Sequence, residues 1–420
     1  MDDGAGERAS DSIDALHLRD DHAAHLIDVT RFGANDDVVR PGDVFGERDA
    51  LHAGDLTCYR GCLADLGLDK DVGLHHGASL PRVDPSSTWM SNNVVDTVAS
   101  RVRRWIISVG ELGEFGLIAR VTARLPLGNS TAVGPGDDAA VVTAADGRVV
   151  ATTDLLVDGR HFRRDWSTAY DVGRKAAAQN LADIAAMGAV PTALLVGLAT
   201  PPDLLAFWAE RFADGLRDEC DLVGAGVVGG DVVRSDVLLL AVTALGDLQG
   251  RAPVLRSGAK VGDVVAVAGR LGWSGAGLAA LRKGFRTPRV VVDAHRRPEP
   301  PYAAGPAASI AGATSMIDVS DGLVADLGHV AVASGVRIEI ARSAFEVAEP
   351  VAEVASALGV DPLDWVLGSG EDHALAATFP SSDVVPRGWR VVGKVAAALP
   401  DGAVLVDGSP YTTGGFDHFA

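Results

Sequence analysis

The sequence predicts a two-domain α/β protein behind an irregular N-terminal segment, and three observations carry that prediction. From Phe115 onward, short β-branched runs alternate with segments of helical period. The Gly- and Pro-containing stretch Gly250–Gly262 divides this pattern into two series. The 420 residues, 47 % of them hydrophobic, exceed one ordinary domain and can fill sizeable cores.

Residues 1–108 read as an extension. The first hundred hold 19 acidic and 8 basic residues with no sustained helical or strand period, so they offer no face to bury. The first domain is then expected over 109–250. Val141–Val142 and Val149–Thr153 flank a turn at Ala145-Asp146-Gly147 and read as a hairpin. Asp171 precedes a helical segment ending at Gly188, with Pro191 beyond it. Ala193–Leu198 and Val237–Ala244 read as strands, with a helix over Leu204–Cys220 between them. The second domain, 251–420, opens with a strand at Val264–Ala268 and a helix from Gly275 to about Lys283. A strand at Ser315–Val319, a helix from Leu323 and further strands complete it.

Composition excludes several function classes. The formal charge is −19, so the chain lacks the basic balance that sequence-independent nucleic-acid binding needs. No window reaches the ~18 apolar residues of a spanning helix. The start, MDDGAGERAS, is acidic, unlike a signal peptide. Three cysteines make no disulfide framework, and a cytoplasmic protein is expected. Cys58 and Cys62 with His75 and His76 could hold zinc, but their spacing is looser than that of most structural sites.

Acidic clusters are the main chemical signal. GPGDDAA, TTD, VGGDVV and IDVSDG each place Asp beside Gly or a hydroxyl residue at the end of a predicted strand. NLAD adds Asn180 and Asp183 on one helix face. One such cluster is an ordinary turn, since Asp and Gly dominate turns. Four of them point to a hard divalent cation, because carboxylates gathered without one repel each other. Lys175 and Gln179 share the face of Asp183 and read as residues that solvate that helix. GAGVVGG matches G-x-G-x-x-G, but a helix precedes it and a strand follows, the reverse of the dinucleotide fingerprint. P-loop, nucleophile-elbow and HExxH motifs are missing.

The motifs GEFGLIARV, GPGDDAAVV, ATTDLLVDGRHF, AAQNLADIAAMGA, GGDVV, RAPVLRSGAKVGD, MIDVSDGLVADLGHVAVASGVRIEI and GSGEDHAL occur in this order, followed by GGFDHF. Over about residues 111–420 the chain resembles the thiamine-monophosphate kinase family, part of the aminoimidazole ribonucleotide synthetase-like superfamily. The resemblance implies a two-domain α/β fold that dimerises through its N-terminal sheet. It also implies transfer of the γ-phosphoryl of ATP to thiamine monophosphate, giving thiamine diphosphate, with several Mg²⁺ ions and no P-loop. Residue by residue, Asp138, Thr152, Thr153, Asp154, Asp183, Asp231, Asp318 and Asp321 match metal ligands, with Asp154, Asp231 and Asp321 the catalytic ones. Gly230, Arg256 and Ser320 match ATP-contacting positions, and His161, Glu371 and Phe416 match positions holding thiamine monophosphate. Two departures are small. The family usually has two glycines where this chain has Ser369-Gly370, and Tyr or Trp where it has Phe416.

The chemistry fits independently. A phosphate monoester has a second pKa of about 6, so the acceptor is mostly dianionic at neutral pH and needs no general base. Catalysis then reduces to positioning two polyanions and stabilising their charge. Two alternatives are another ATP-dependent enzyme of the superfamily, such as aminoimidazole ribonucleotide synthetase, and a non-catalytic ATP/Mg²⁺-binding regulator. Intact acidic motifs in both predicted domains speak against the regulator.

Overall fold

The structure is a computed structural model that describes residues 107–135, 139–398 and 403–411. Most of the predicted extension, including Cys58, Cys62, His75 and His76, lies outside these residues, as do Asp138 and Phe416.

Residues 107–112 and 203–208 belong to one small unit. Within it, helix α1 (Val109–Leu112) follows an antiparallel bridge between Ser108 and Leu205. Val109 N donates to Leu204 O at 2.7 Å, and Ala206 N donates to Ile107 O at 2.9 Å.

The larger unit begins with helix α2 (Glu114–Thr122) and strands β1 (Thr131–Val133), β2 (Val141–Val142) and β3 (Val150–Val157). Helix α3 (Ala169–Ala186) and β4 (Val190–Thr200) follow, then helix α4 (Ala206–Cys220), β5 (Gly226–Arg234) and β6 (Leu239–Asp247). The expected hairpin between β2 and β3 does not form. Two valines are too short a run to hold the eight-residue β3, so β2 pairs with β1 and β3 pairs along its whole length with β6. The four-stranded sheet runs β3-β6-β4-β5, with only β4 and β5 parallel.

Helix α3 starts earlier than its sequence suggests. Thr168 is the N-cap, and Asp171 is the third residue of a capping box, accepting from Thr168 N at 3.0 Å. Ala176, Ala177, Leu181 and Ile184 of α3 are fully buried against the sheet. The helix stops where Gly188 takes a left-handed φ of 74°.

Strand β7 (Val264–Ala268) opens a seven-stranded sheet. After it come helices α5 (Trp273–Arg282), α6 (Arg289–Arg296) and α7 (Ala304–Ile310), and β8 (Ser315–Val319). Helix α8 (Leu323–Ser334), β9 (Val336–Ile340), α9 (Glu349–Leu358), α10 (Pro362–Gly368) and β10 (Ala374–Phe379) follow. Strands β11 (Trp389–Ala397), β12 (Val404–Val406) and β13 (Ser409–Pro410) end the described chain. The order is β13-β12-β9-β11-β7-β10-β8.

Two apolar clusters flank this sheet. Leu323, Leu327 and Val330 of α8 pack on Val265, Val267, Ile317 and Val319. On the other side, Ala185 and Ala186 join Val254, Ala266, Met316, Leu375 and Phe379. The C-terminal end of α3 is thus part of the second sheet's core. That packing decides what Asp183, one turn earlier on α3, can reach.

Candidate active site

Strand alternation sorts the acidic motifs onto two faces of the four-stranded sheet. Thr152, Asp154 and Leu156 point to the face covered by α3. Thr152 Oγ1 donates to Asp183 Oδ2 at 2.7 Å, and Asp154 is hydrogen-bonded by Gln179 of the same helix. Thr153 points the other way, donating to Val242 O at 3.1 Å on the open face. The register continues this split. Asp231 lies in one row with Gly197, Ala241 and Leu155, on the open face, and its Oδ1 accepts from Val232 N. Gly230 falls in the row of Asp154, where the carbonyl of Val196 leaves no room for a Cβ, 1.9 Å away.

The second sheet brings Asp318 to the covered face. This residue is the last but one of β8, buried, and His373 Nδ1 lies 3.2 Å from its Oδ2. Burial raises Asp183 to about 7, with Asp318 and Asp154 adding to it and Thr152 opposing. Burial also raises Asp154, and Asp318 adds to that shift. His373 sits among these carboxylates. Burial would lower its pKa, but Asp318, then Glu371 and Asp183, hold it above the usual range.

Beyond β8 the chain turns sharply at Ser320-Asp321-Gly322. Asp326 of α8 accepts from the backbone N–H of Asp321 and of Gly322, both at 3.1 Å, and so fixes the loop. Burial and then Asp318 raise Asp326 to about 7. Ser320 O accepts from Glu371 N at 2.9 Å. A Cβ on Gly370 would stand 1.7 Å from that same carbonyl, which explains a glycine before Glu371 but demands none at Ser369.

Glu371 has a left-handed φ of 69° and pairs with the buried Lys175 of α3. Burial favours its neutral form, but the ammonium of Lys175 outweighs this and holds it down at about 2. Lys175 also donates to His161 O at 3.1 Å. His161 follows β3 in a turn, where its Nδ1 accepts from Val157 N at 3.0 Å, so Nε2 carries the proton. Arg256 stands apart. It is exposed in a 3₁₀ turn whose neighbour Leu255 accepts from Met316 N at 3.3 Å, near the start of β8. Asp318 and Asp321 lie at or beyond that strand's other end.

The structure therefore gathers Thr152, Asp154, Asp183 and Asp318, with Ser320, Asp321, His161 and Glu371 around them. Thr153, Asp231 and Arg256 stay outside this group. Sequence reading missed Lys175, Gln179, Asp326 and His373. Lys175 and Gln179 share the helix face of Asp183, one turn apart, and that face looks into the site instead of into water.

The chain matches the family model for AIR synthase related protein, N-terminal domain, over residues 136–248. It matches AIR synthase related protein, C-terminal domain, over 260–375. Thiamine-monophosphate kinase from Mycobacterium tuberculosis is 51 % identical over 305 residues, 72 % of this chain and 90 % of that protein. The chain belongs to the thiamine-monophosphate kinase family. Two solved structures agree. The thiamine-monophosphate kinase of Stenotrophomonas maltophilia K279a has a TM-score of 0.61 at 32 % identity, covering 70 % of this chain and 96 % of that one. AaThiL complexed with AMPPCP and TMP also has a TM-score of 0.61 at 32 % identity, covering 74 % and 98 %. The two-domain α/β architecture expected for a thiamine-monophosphate kinase is present. Among the described residues, no helix is long and apolar enough to cross a membrane.

Proposed function

We propose that this chain transfers the γ-phosphoryl group of ATP to thiamine monophosphate, giving thiamine diphosphate, at the acid cluster of Asp154, Asp183 and Asp318. One observation supports the placement above others: Asp154 of β3, Asp183 of α3 and Asp318 of β8 share one buried site, where burial first, and then Asp318 and Asp154, raise Asp183 to about 7. Family membership and the AaThiL complex with AMPPCP, an ATP analogue, and TMP support the two substrates.

The donor set suits Mg²⁺. Carboxylates crowded in a buried site, with a threonine hydroxyl beside them, offer hard oxygens and carry a repulsion that a dication relieves. Among the described residues no three His, Cys, Asp or Glu groups form a complete metal-binding set. Mg²⁺ takes one or two protein carboxylates and completes its shell with water and substrate phosphate. Asp154, Asp183, Asp318 and Thr152 would hold the ions, with Asp321 and Asp138 completing the set. Bound there, Mg²⁺ supplies Lewis-acid stabilisation of phosphoryl oxygens.

The chain's own groups do the rest. Asp326 holds the Ser320–Gly322 loop by its backbone, which sets Asp321 and Ser320 beside the nucleotide. Glu371 and His161, joined through Lys175, face the acceptor. Each comes from a different half of the chain, so binding the acceptor draws on both halves. Arg256, Gly230 and Phe416 retain the nucleotide and acceptor roles that the family likeness assigns. A chemistry of positioning fits this site, since the acceptor phosphate arrives already ionised.

The open sheet face supports a homodimer. Leu155 and Leu195 project from it, 54 % and 37 % exposed, with Thr153 and Thr243 between them. A cytoplasmic location fits an ATP-consuming enzyme with three cysteines.

Labelled ATP tests the reaction. With [γ-³²P]ATP, Mg²⁺ and thiamine monophosphate, label should enter thiamine diphosphate mole for mole with ADP release. Release of free phosphate in place of labelled thiamine diphosphate would overturn the assignment.

A further inference from the structure

Lys175 sits inside α3 with its side chain 3 % exposed, a costly place for an ammonium unless its charge is matched. Two groups match it. The carboxylate of Glu371 pairs with it, and the carbonyl of His161 accepts from it at 3.1 Å. These are the two described residues that the family likeness places against thiamine monophosphate. His161 follows β3 of one sheet and Glu371 precedes β10 of the other, and Lys175 touches both.

The pair is lopsided. Lys175 is closed off, whereas the Glu371 side chain is 38 % exposed. An ion pair that served packing alone would have no reason to hold its acid in a left-handed backbone, where a non-glycine residue is strained. Here that conformation is locked from several sides. Glu371 N donates to Ser320 O, and the next residue, Asp372, accepts from Ser274 N at 2.8 Å. Ser274 Oγ in turn meets buried His295 Nδ1 at 3.0 Å. Burial, then the charge of Lys175, depress His295 to about 3, so this histidine stays neutral behind the pair. Lys175 is the strongest of the charges that keep Glu371 ionised.

We propose that Lys175 is a positioning residue for the phosphoryl acceptor: it clamps Glu371 and the His161 turn into one arrangement that receives thiamine monophosphate. This inference rests on the reading of the site given above. Lys175 reaches the acceptor only through Glu371 and His161, so its effect falls on acceptor binding and leaves nucleotide binding alone.

Calorimetry on the full chain separates this from a purely structural role. Lys175→Met should weaken thiamine monophosphate binding by about tenfold or more while Mg-ATP affinity stays within about twofold. Glu371→Gln should weaken the acceptor similarly. The double variant should bind it little worse than Glu371→Gln alone, within about twofold, because the lysine acts mainly through that carboxylate and only secondarily through the His161 turn. Should Lys175→Met fail to fold, the double variant, which strands no carboxylate charge, carries the test by the same comparison. Folded Lys175→Met with wild-type acceptor affinity, or losses that multiply in the double variant, would overturn the clamp. A wild-type chain that binds no thiamine monophosphate would overturn the functional reading as well, which keeps the two failures distinct.

Discussion

Thr152 of β3 and Asp183 of α3 meet in a 2.7 Å hydrogen bond, and that contact ties the strand carrying Asp154 to the helix reaching the second sheet. The same helix buries Ala185 and Ala186 against β8 and β10, which brings Asp183 to Asp318. Two sheets that share one helix thus share one acid cluster.

Removing single carboxylates should cost turnover and spare the fold. Asp154→Asn and Asp321→Asn should each lower kcat by at least about a hundredfold, roughly 2.7 kcal/mol of transition-state stabilisation. Without metal these variants should melt no lower than the wild type, since one charge fewer relieves repulsion. The rise in Tm on adding Mg-ATP should shrink. Near-normal turnover would leave Asp154 a strand residue and Asp321 a turn residue with no part in the reaction.

The open face of the first sheet gives a second prediction. Leu155→Glu combined with Leu195→Glu places charges on exposed positions in neighbouring rows. Light scattering should show the wild type as a dimer and this variant as a folded monomer. A wild type that is monomeric at micromolar concentration would remove the dimer from the proposal.

Legibility in the sequence varied with how local each signal is. Strands β7 and β8 fall where the sequence places them, and α8 begins at Leu323 as read. The β2–β3 hairpin fails because strand partners are chosen by whole-sheet register, which no local turn reveals. At α3 the cap is Thr168, and Asp171 serves the box from inside the helix. Candidate ligands were legible as residue types but not as faces. Thr152 and Thr153 are equal in a motif, and only the pleat separates them. Lys175 was hidden because a lysine on a helix ordinarily marks solvent, and its partner lies 196 residues away.

Truncation should respect the small unit at residues 107–112. Deleting residues 1–106 should leave kcat within about threefold, a barrier change under roughly 0.7 kcal/mol. Deleting through Leu112 also removes Ile107 O and Val109 N, which bond Ala206 and Leu204, and should lower Tm. Lost activity in a folded 107–420 protein would show that the extension is functional.

Acidity gives a further check at Asp372, outside the metal cluster. Burial raises this carboxyl to about 7, although the backbone N–H groups of Ser274, Gly272 and Trp273 oppose it. Between its unfolded value near 3.8 and about 7, the folded protein keeps a proton that the unfolded chain has lost. Its contribution to stability is therefore present at low pH and fades as pH rises through 7. Asp372→Asn should flatten the fall in unfolding free energy between about pH 4.5 and pH 6.5 by about one proton's slope. An unchanged slope would mean that Asp372 titrates normally.

The most direct test of the central claim is acceptor choice. The full chain, supplied with ATP and Mg²⁺, is given thiamine monophosphate in one reaction and free thiamine in the other. Thiamine diphosphate should form from the first, and no thiamine monophosphate should form from the second, because a neutral hydroxyl acceptor would need a base while a phosphate dianion does not. Phosphorylation of thiamine at a comparable rate would contradict a site built for a phosphate acceptor.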